Sequence, residues 1–286
     1  MMTCLLTGLA IGQVAWAHAA IDPPRIQRIL ICGNERTTAE IIRRELLFAE
    51  GDLVDSSRIA ETERNLRRLF FIGEVDIRIA DTHAGSEVTV EVEDLYSRAL
   101  SPLISGQPNE LSFGLVGLDY NLFGRGQSLR FSLEDRAISG PWADLLFAEP
   151  RLRGSRHALS AQLGIGSEGH AHLLALSRPF ATLADRHSYG ISLASRESVQ
   201  RLYSAGQLDQ RYRDELDSGR LWVVHSSGHQ TKIRPSLQLN ISRHRFAASK
   251  KYSYAPANRK RITPSIGLLV WRPTYNRDRF IRDLGP

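Results

Sequence analysis

The sequence predicts two units of different class: a small α+β module ordered β-α-α-β-β, followed by the wall of an antiparallel transmembrane β-barrel. Three observations predict it. Residues 24 to 95 pass from a β-branched stretch through two segments of helical periodicity to two alternating strands. From residue 110 to 286 apolar and polar side chains alternate over segments of about ten residues, the period with which a barrel wall keeps one face in lipid and the other in water. Charge divides near the same boundary. Residues 24–95 hold 10 Arg against 15 Asp and Glu, a net of −5, and residues 96–286 hold 27 Lys and Arg against 15 acids, a net of +12. With 286 residues, 42% apolar and 24% charged, the chain has room for both units and is not disordered in composition.

The chain opens on an apolar run, Leu5 to Ala17, that is too short to span a bilayer as a helix. Ala17-His18-Ala19 supplies the small-x-small pattern of an export cleavage site, so residues 1–19 are expected to be a signal peptide cut after Ala19. No later segment reaches the ~18 uninterrupted apolar residues of a transmembrane helix, and any span must therefore be made of strands. Cys4 and Cys32 cannot build a disulfide framework. Cys32, beside Ile29, Leu30 and Ile31, is expected as a small buried hydrophobe.

In the module, Arg25 to Cys32 reads as a strand stopped by Gly33-Asn34. Thr37 or Thr38 should cap a first helix with Ile41, Ile42, Leu46 and Leu47 on its apolar face and Glu40 in the first turn. Gly51-Asp52 ends it. A second helix is expected from Ser57 to Phe70, burying Ile59, Leu66, Leu69 and Phe70 and keeping Arg58, Glu61, Arg64, Arg67 and Arg68 wet. Strands at Glu74 to Ala80 and Glu87 to Glu93 alternate Val75, Ile77, Ile79 and Val88, Val90, Val92 with polar residues, around a turn at His83 to Gly85.

In the second unit, Leu129, Phe131 and Leu133 alternate with Arg130, Ser132 and Glu134, and the same register recurs at Leu159–Ile165, Tyr189–Leu193 and Ile233–Ile241. About nine strands are counted, near residues 111, 126, 142, 156, 170, 187, 212, 232 and 261. Pro150 and Pro179 fit strand ends or bulges. Arg130 and Glu134 are expected to satisfy one another on the polar face.

Several landmarks in order carry a resemblance. Ile31-Cys32-Gly33-Asn34-Glu35-Arg36-Thr37-Thr38, Glu50-Gly51-Asp52, Arg64 to Phe71 and the final Val-x-Val-x-Val strand resemble a POTRA domain, the periplasmic module of BamA/TamA outer-membrane assembly proteins and of two-partner secretion transporters. Asp119 to Gly126 is similar to the first hairpin turn of the BamA-like barrel, Phe147-Ala148-Glu149-Pro150 to its third strand and Ser177-Arg178-Pro179-Phe180 to its fifth. That family builds sixteen strands, so the resemblance implies a C-terminally truncated member carrying the N-terminal portion of its barrel; the alternative is a genuine short barrel of eight strands with a plug or partner.

What the resemblance implies is a non-enzymatic protein of the cell outer membrane, its POTRA domain in the periplasm, that inserts, assembles or translocates other proteins. Its partners would be unfolded outer-membrane or secreted clients, outer-membrane lipid, and periplasmic or lipoprotein accessory factors. The alternatives are a two-partner-secretion-type transporter and a passive pore or binding barrel. The expected client-binding edge is Glu74, Val75, Asp76, Ile77, Arg78 and Ile79, because an unpaired strand edge accepts an extended chain. A gate is expected at the first barrel strand, Leu111, Phe113, Gly114, Leu115 and Gly117, where glycines weaken packing and pairing.

Chemistry is otherwise thin. No cofactor, metal or catalytic residue is expected, since Gly-x-Ser-x-Gly and His-Glu-x-x-His motifs are missing and His170-x-His172 offers two ligands with no nearby cluster. A loop or lumen role is expected for that pair, and Asp185-Arg186-His187 and Arg213-Asp214-Glu215 are expected in loops. Nucleic-acid binding is not expected, because the basic residues sit at alternate strand positions and form no basic helix.

Overall fold

The computed structural model describes residues 24–83, 85–249 and 251–272, so the expected signal peptide, residues 1–19, lies outside the described residues. The module contains β1 (Ile26–Cys32), α1 (Ala39–Arg43), α2 (Ser56–Arg67), β2 (Ile72–Thr82) and β3 (Gly85–Asp94). β3 is central, parallel to β1 and antiparallel to β2. Strand alternation turns Val88, Val90 and Val92 to one face, where they meet Ile26, Ile29, Val75, Ile41, Ile42 and Leu66. All 12 buried hydrophobic residues among those described belong to this one cluster. The module therefore folds around a core of its own, and the rest of the chain must be held by something else.

Asp55 caps α2, its carboxylate accepting the backbone N–H groups of Ser57 at 2.8 Å and Arg58 at 3.4 Å. Three expectations need correction. α1 stops at Arg43 instead of running to Gly51: the chain turns at Arg44, and the Leu47 N–H is taken up by the Thr62 hydroxyl at 3.0 Å. Cys32 is exposed, since the last residue of β1 lies outside the buried cluster. Phe70 is 79% exposed and leaves the helical stripe, with its ring 5.3 Å from that of Tyr120 in the second unit.

The second unit is an antiparallel sheet in strict chain order: β4 (Arg98–Gln107), β5 (Glu110–Leu122), β6 (Gln127–Arg136), β7 (Gly140–Glu149), β8 (Ala158–Gly166), β9 (Gly169–Arg178), β10 (His187–Ser204), β11 (Gln207–His225), β12 (Lys232–Ala248) and β13 (Arg259–Trp271). It has ten described strands, one more than counted, and begins at Arg98 instead of residue 110. β4 escaped the count because Leu100, Pro102 and Ile104 share their strand with Leu103, which blurs the alternation. Residues 213–215 lie within β11 and not in a loop. Pro150 and Pro179 each fall just beyond a strand end.

The register explains the two faces. Phe113, Leu115, Leu129, Phe131, Leu133, Leu145, Phe147, Leu163, Leu174, Leu193, Leu221, Leu237 and Ile266 fall on one face through successive cross-strand pairs, forming a continuous apolar belt. Ser132, Asp144, Gln162, Ser192, Arg220, Asn240 and Thr263 fall on the other, with hydrogen bonds such as Gln162 to Asp144 at 2.7 Å and Arg220 to Asn240 at 3.0 Å. This is the wall of a partial β-barrel. Glu134 pairs with Arg136 at 2.8 Å and not with Arg130, because four residues along a strand separate two side chains by roughly 13 Å at ~3.3 Å per residue. No helix among the described residues is long and apolar enough to cross a membrane.

Replacing the fully buried Leu66 by Ala should cost the module about 2–5 kcal/mol. Hydrogen exchange should then show faster exchange in β1, α2 and β3 with β6 to β9 unchanged; equal loss in both units would show that they fold as one.

Candidate functional site

Three successive connections at one end of the wall touch the module. The first is the β5–β6 turn. Asn121 donates from Nδ2 to the Thr37 hydroxyl at 2.8 Å, and its Oδ1 accepts the Gly126 N–H at 2.8 Å, so a single amide closes the turn and holds the module. Thr37 in turn donates to Asp94 Oδ1 at 2.5 Å, while Asp94 Oδ2 accepts the N–H groups of Arg36 and Thr37 at 2.6 and 2.8 Å. Thr37 is 2% exposed and Asn121 5%. Thr38, the residue before α1, donates its N–H to the Gly124 carbonyl at 3.0 Å. The expected cap is not made: Thr38 occupies the N-cap position of α1 without a side-chain cap hydrogen bond, and Thr37 serves the junction instead.

Both glycines of this turn are explained by the contact. Gly124 has φ +72°, and a Cβ there would lie 2.2 Å from the Arg36 carbonyl oxygen. Gly126 has φ +65°, and its Cβ would lie 2.8 Å from the Arg44 guanidinium. Only a residue without Cβ accommodates the positive φ and the close approach together.

The second connection, after β7, brings Arg151 to Glu45 as a fork, Nε to Oε1 at 3.0 Å and Nη2 to Oε2 at 2.6 Å. Glu149 is buried beside them and accepts from Gln127 at 2.7 Å and from the Arg151 N–H at 3.0 Å. Arg44 completes a four-charge cluster. Burial pushes its guanidinium pKa down, the Glu45 and Glu149 carboxylates oppose that shift, and Arg151 adds to it. The third connection, after β9, presents the Leu183 N–H to Glu61 of α2 at 2.8 Å. Asp185 shapes that loop by accepting from Ala181 at 2.8 Å, Thr182 at 3.0 Å and Arg156 at 2.6 Å.

Among the described residues the module sheet has two edge strands, β1 and β2, and the wall two, β4 and β13. β2 pairs only with β3 and is an edge of the module sheet. Glu74, Val75, Asp76, Ile77, Arg78 and Ile79 all lie on it. Val75 points into the core, whereas Ile79 is exposed, and Arg78 is tied to Asp76 and Glu91 at 2.8 Å each. What this edge offers is therefore backbone.

The residues expected as a gate do not lie on an edge of the described wall. Leu111, Phe113, Gly114, Leu115 and Gly117 lie in β5, which is paired on both sides, with β4 and β6. Its glycines make room and do not loosen the sheet: a Cβ at Gly117 would meet the Phe131 ring at 2.3 Å, and one at Gly114 the Leu133 carbonyl at 2.6 Å. The described wall has two edge strands, β4 and β13, and the one next to β5 is β4. Tyr120 donates to the Ser97 carbonyl at 2.9 Å, which marks that opposed pair as hydrogen-bonded. Alternation then directs the backbone groups of Leu100, Pro102 and Ile104 to the free side. Pro102 has no N–H, so this edge lacks a donor at mid-strand.

His170 and His172 stack at 4.7 Å on the apolar-belt face of β9, opposite Ile165 and Leu163 of β8, and not in a loop or the lumen. His170 Nε2 lies 3.3 Å from the Ser195 hydroxyl, which donates to Asp217 at 3.0 Å; Glu197 is 4.0 Å from Nδ1. The Ser195 proton is thus committed to Asp217, and no carboxylate orients the imidazole by a hydrogen bond, unlike an activated nucleophile. Among the described residues no group of three or more His, Cys, Asp or Glu side chains could hold a metal.

Residues 24–94 match the POTRA family, described as "Surface antigen variable number repeat". Over 105 residues the chain is 29% identical to the outer membrane protein assembly factor BamA of Nitratidesulfovibrio vulgaris, covering 35% of this chain and 13% of that protein. Over 124 residues it is 31% identical to BamA of Neorickettsia risticii, covering 42% of this chain and 16% of the relative. The chain thus aligns with only a small fraction of those relatives' length. Among solved structures, BamA from Haemophilus ducreyi lacking POTRA domains 1–3 superposes with TM-score 0.49 at 13% identity, over 79% of this chain and 51% of that one. CdiB from Escherichia coli gives TM-score 0.48 at 16% identity, over 88% and 43%.

Gly124→Ala should detach the module from the wall while leaving both folded. Hydrogen exchange of residues 36–42 should accelerate by at least tenfold with β6 to β9 unaffected; unchanged exchange would show that the turn contact is dispensable.

Proposed function

We propose that this chain, which belongs with the BamA-like proteins that couple a POTRA module to a β-barrel wall, assists the insertion or assembly of outer-membrane proteins by strand addition, without covalent catalysis. The observation that carries the reading is that the β2 edge of the module and the β4 edge of the wall lie in one polypeptide, with the module fixed to the mouth of the wall by three turn contacts. An unfolded client meets the β2 edge first. There its backbone adds to the module sheet, with affinity from main-chain hydrogen bonds and little dependence on client side chains. It then passes to the β4 edge and pairs along Leu100 to Ile104.

In this reading the module lies in the periplasm and the apolar belt in the outer membrane. The belt supports that placement: Leu163, Ile191, Leu237 and Ile266 are exposed large apolar residues of a single face, far more than a monomer leaves in water. Handing a client from one edge to the other requires the two edges to keep a fixed relation, and buried contacts at the junction provide it. β4 suits a transient template because Pro102 interrupts its donors, so a client strand pairs there with one ladder bond fewer and can leave.

A photo-crosslinking side chain placed at Ile79 on β2 and at Ile104 on β4, in the protein expressed with its natural membrane, should capture outer-membrane proteins in transit, whereas one at Val88 in the central strand should not. Ion conductance with no adducts at either edge would sink the assembly reading in favour of a passive pore. Pro102→Ala should restore the missing donor and increase the yield or lifetime of the Ile104 adduct several-fold, leaving the Ile79 adduct as it was.

A further inference from the structure

β10, β11 and β12 run 18, 19 and 17 residues, against 9 or 10 for β6 to β9. The excess lies at the end remote from the module, beyond the apolar belt. On the belt face the chemistry changes there in a single step. Ile241 and Ile262 oppose each other across β12 and β13, and the next pair on that face is Arg243 opposite Lys260. Both cations are exposed. The carboxylate opposite Arg243 on β11 is Asp217, which is occupied by Arg245 at 3.0 Å and by the Ser195 hydroxyl. Glu215 also pairs with Arg245, and Glu197 pairs with Arg213. Among the described residues neither Arg243 nor Lys260 forms an ion pair, although their neighbours do.

We propose that Arg243 and Lys260 form a site for the phosphate of a phosphorylated lipid of the outer leaflet, with its acyl chains lying on Ile241, Ile262 and Ile266. The inference rests on the reading that the belt faces lipid. Side chains opposed across antiparallel strands stand about 5 Å apart, a separation that one phosphate bridges. Arg supplies a planar fork to two phosphate oxygens and Lys a point charge to a third, each a charge-assisted bond strengthened at a partly dehydrated interface. Position selects a lipid over a free anion. One residue pair along the strands is ~7 Å, so the cations sit at headgroup height while the chains they would anchor meet isoleucines immediately below. A cation facing hydrocarbon would be costly, but one at the boundary next to an anionic headgroup is stabilised.

Native mass spectrometry of the full chain in maltoside micelles tests this, with dihexanoyl phosphatidic acid, dihexanoylglycerol and inorganic phosphate as probes. Phosphatidic acid should bind, and the Arg243→Gln/Lys260→Gln pair should weaken it at least tenfold, with Lys260→Arg alone binding as the parent chain does. An unaffected double variant, equal binding of dihexanoylglycerol, or inorganic phosphate competing as strongly as the lipid would each overturn the site. A parallel trial in vesicles separates it from the reading beneath it. If the chain inserts into neither phosphatidylcholine nor phosphatidic-acid-containing vesicles, the membrane placement itself fails. Insertion into both with no phosphate preference refutes this site alone.

Discussion

The hydrogen bond from Asn121 to Thr37 fixes the relation on which the remaining geometry depends. The Asn121 side chain has one acceptor and two donors to distribute, and it uses the acceptor to close its own turn on Gly126 and a donor to reach the module. The turn cannot relax without loosening the module, nor the module swing without opening the turn. Thr37 transmits the constraint to Asp94, at the end of the central strand β3, so the wall grips the one strand to which both other strands of the module sheet are bonded. Because the groups are buried, parting them would leave donors and acceptors without water, at about 1–3 kcal/mol each.

The charge cluster beside it contributes differently. Arg44, Glu45, Glu149 and Arg151 are drawn from both units, and Glu45 is only 7% exposed. Removing four charged groups from water costs about as much as their attraction returns, so the cluster is a poor source of net stability. It is a strong source of geometry. Arg44 keeps Nε and Nη2 without hydrogen bonds, and its Nε stands 3.5 Å from Glu45. Any other docking pose would separate Glu45 from Arg151 and bury it beside Arg44 alone. The apolar contacts that hold most domain interfaces tolerate sliding; this one does not.

Much of the fold could be read from side-chain period, and the failures have physical causes. Val88, Val90 and Val92 announced a buried strand because one face of β3 meets helices, and Leu129, Phe131 and Leu133 announced a wall because each alternate position meets the belt. β4 was missed where the period itself fails, at Ser101-Pro102-Leu103, and β5 was consequently taken as the first strand of the wall. Gly114 and Gly117 compounded the error. Glycine in a strand marks either weak packing or close approach, and only the position of the Phe131 ring distinguishes them. The junction was half visible: the Asn-Leu-Phe-Gly-Arg-Gly turn stood out as a motif, but nothing local says that its glycines face Arg36 and Arg44, residues some eighty positions earlier. Glu45 and Arg151 carried no signal, since a paired buried charge and a solvated one look alike in sequence.

Among the described residues the wall has no buried apolar core, and that decides how its edges behave. Every buried hydrophobic residue described belongs to the module, while the sheet spreads its apolar side chains over one outer face. A soluble sandwich would cover that face with a second sheet, and the ten described strands form a single sheet that leaves it bare. In lipid the same face is satisfied, but the backbone of an edge strand is not: each unpaired group in hydrocarbon costs several kcal/mol, which normally forces closure. Pro102 alters that balance on β4. Its ring replaces an N–H that an open edge would expose, which lowers the penalty of opening. The same ring withholds a ladder bond from any strand that closes the edge, which lowers the gain of closing. Both effects narrow the gap between open and closed, and a narrow gap is what a strand needs if it is to accept partners and release them.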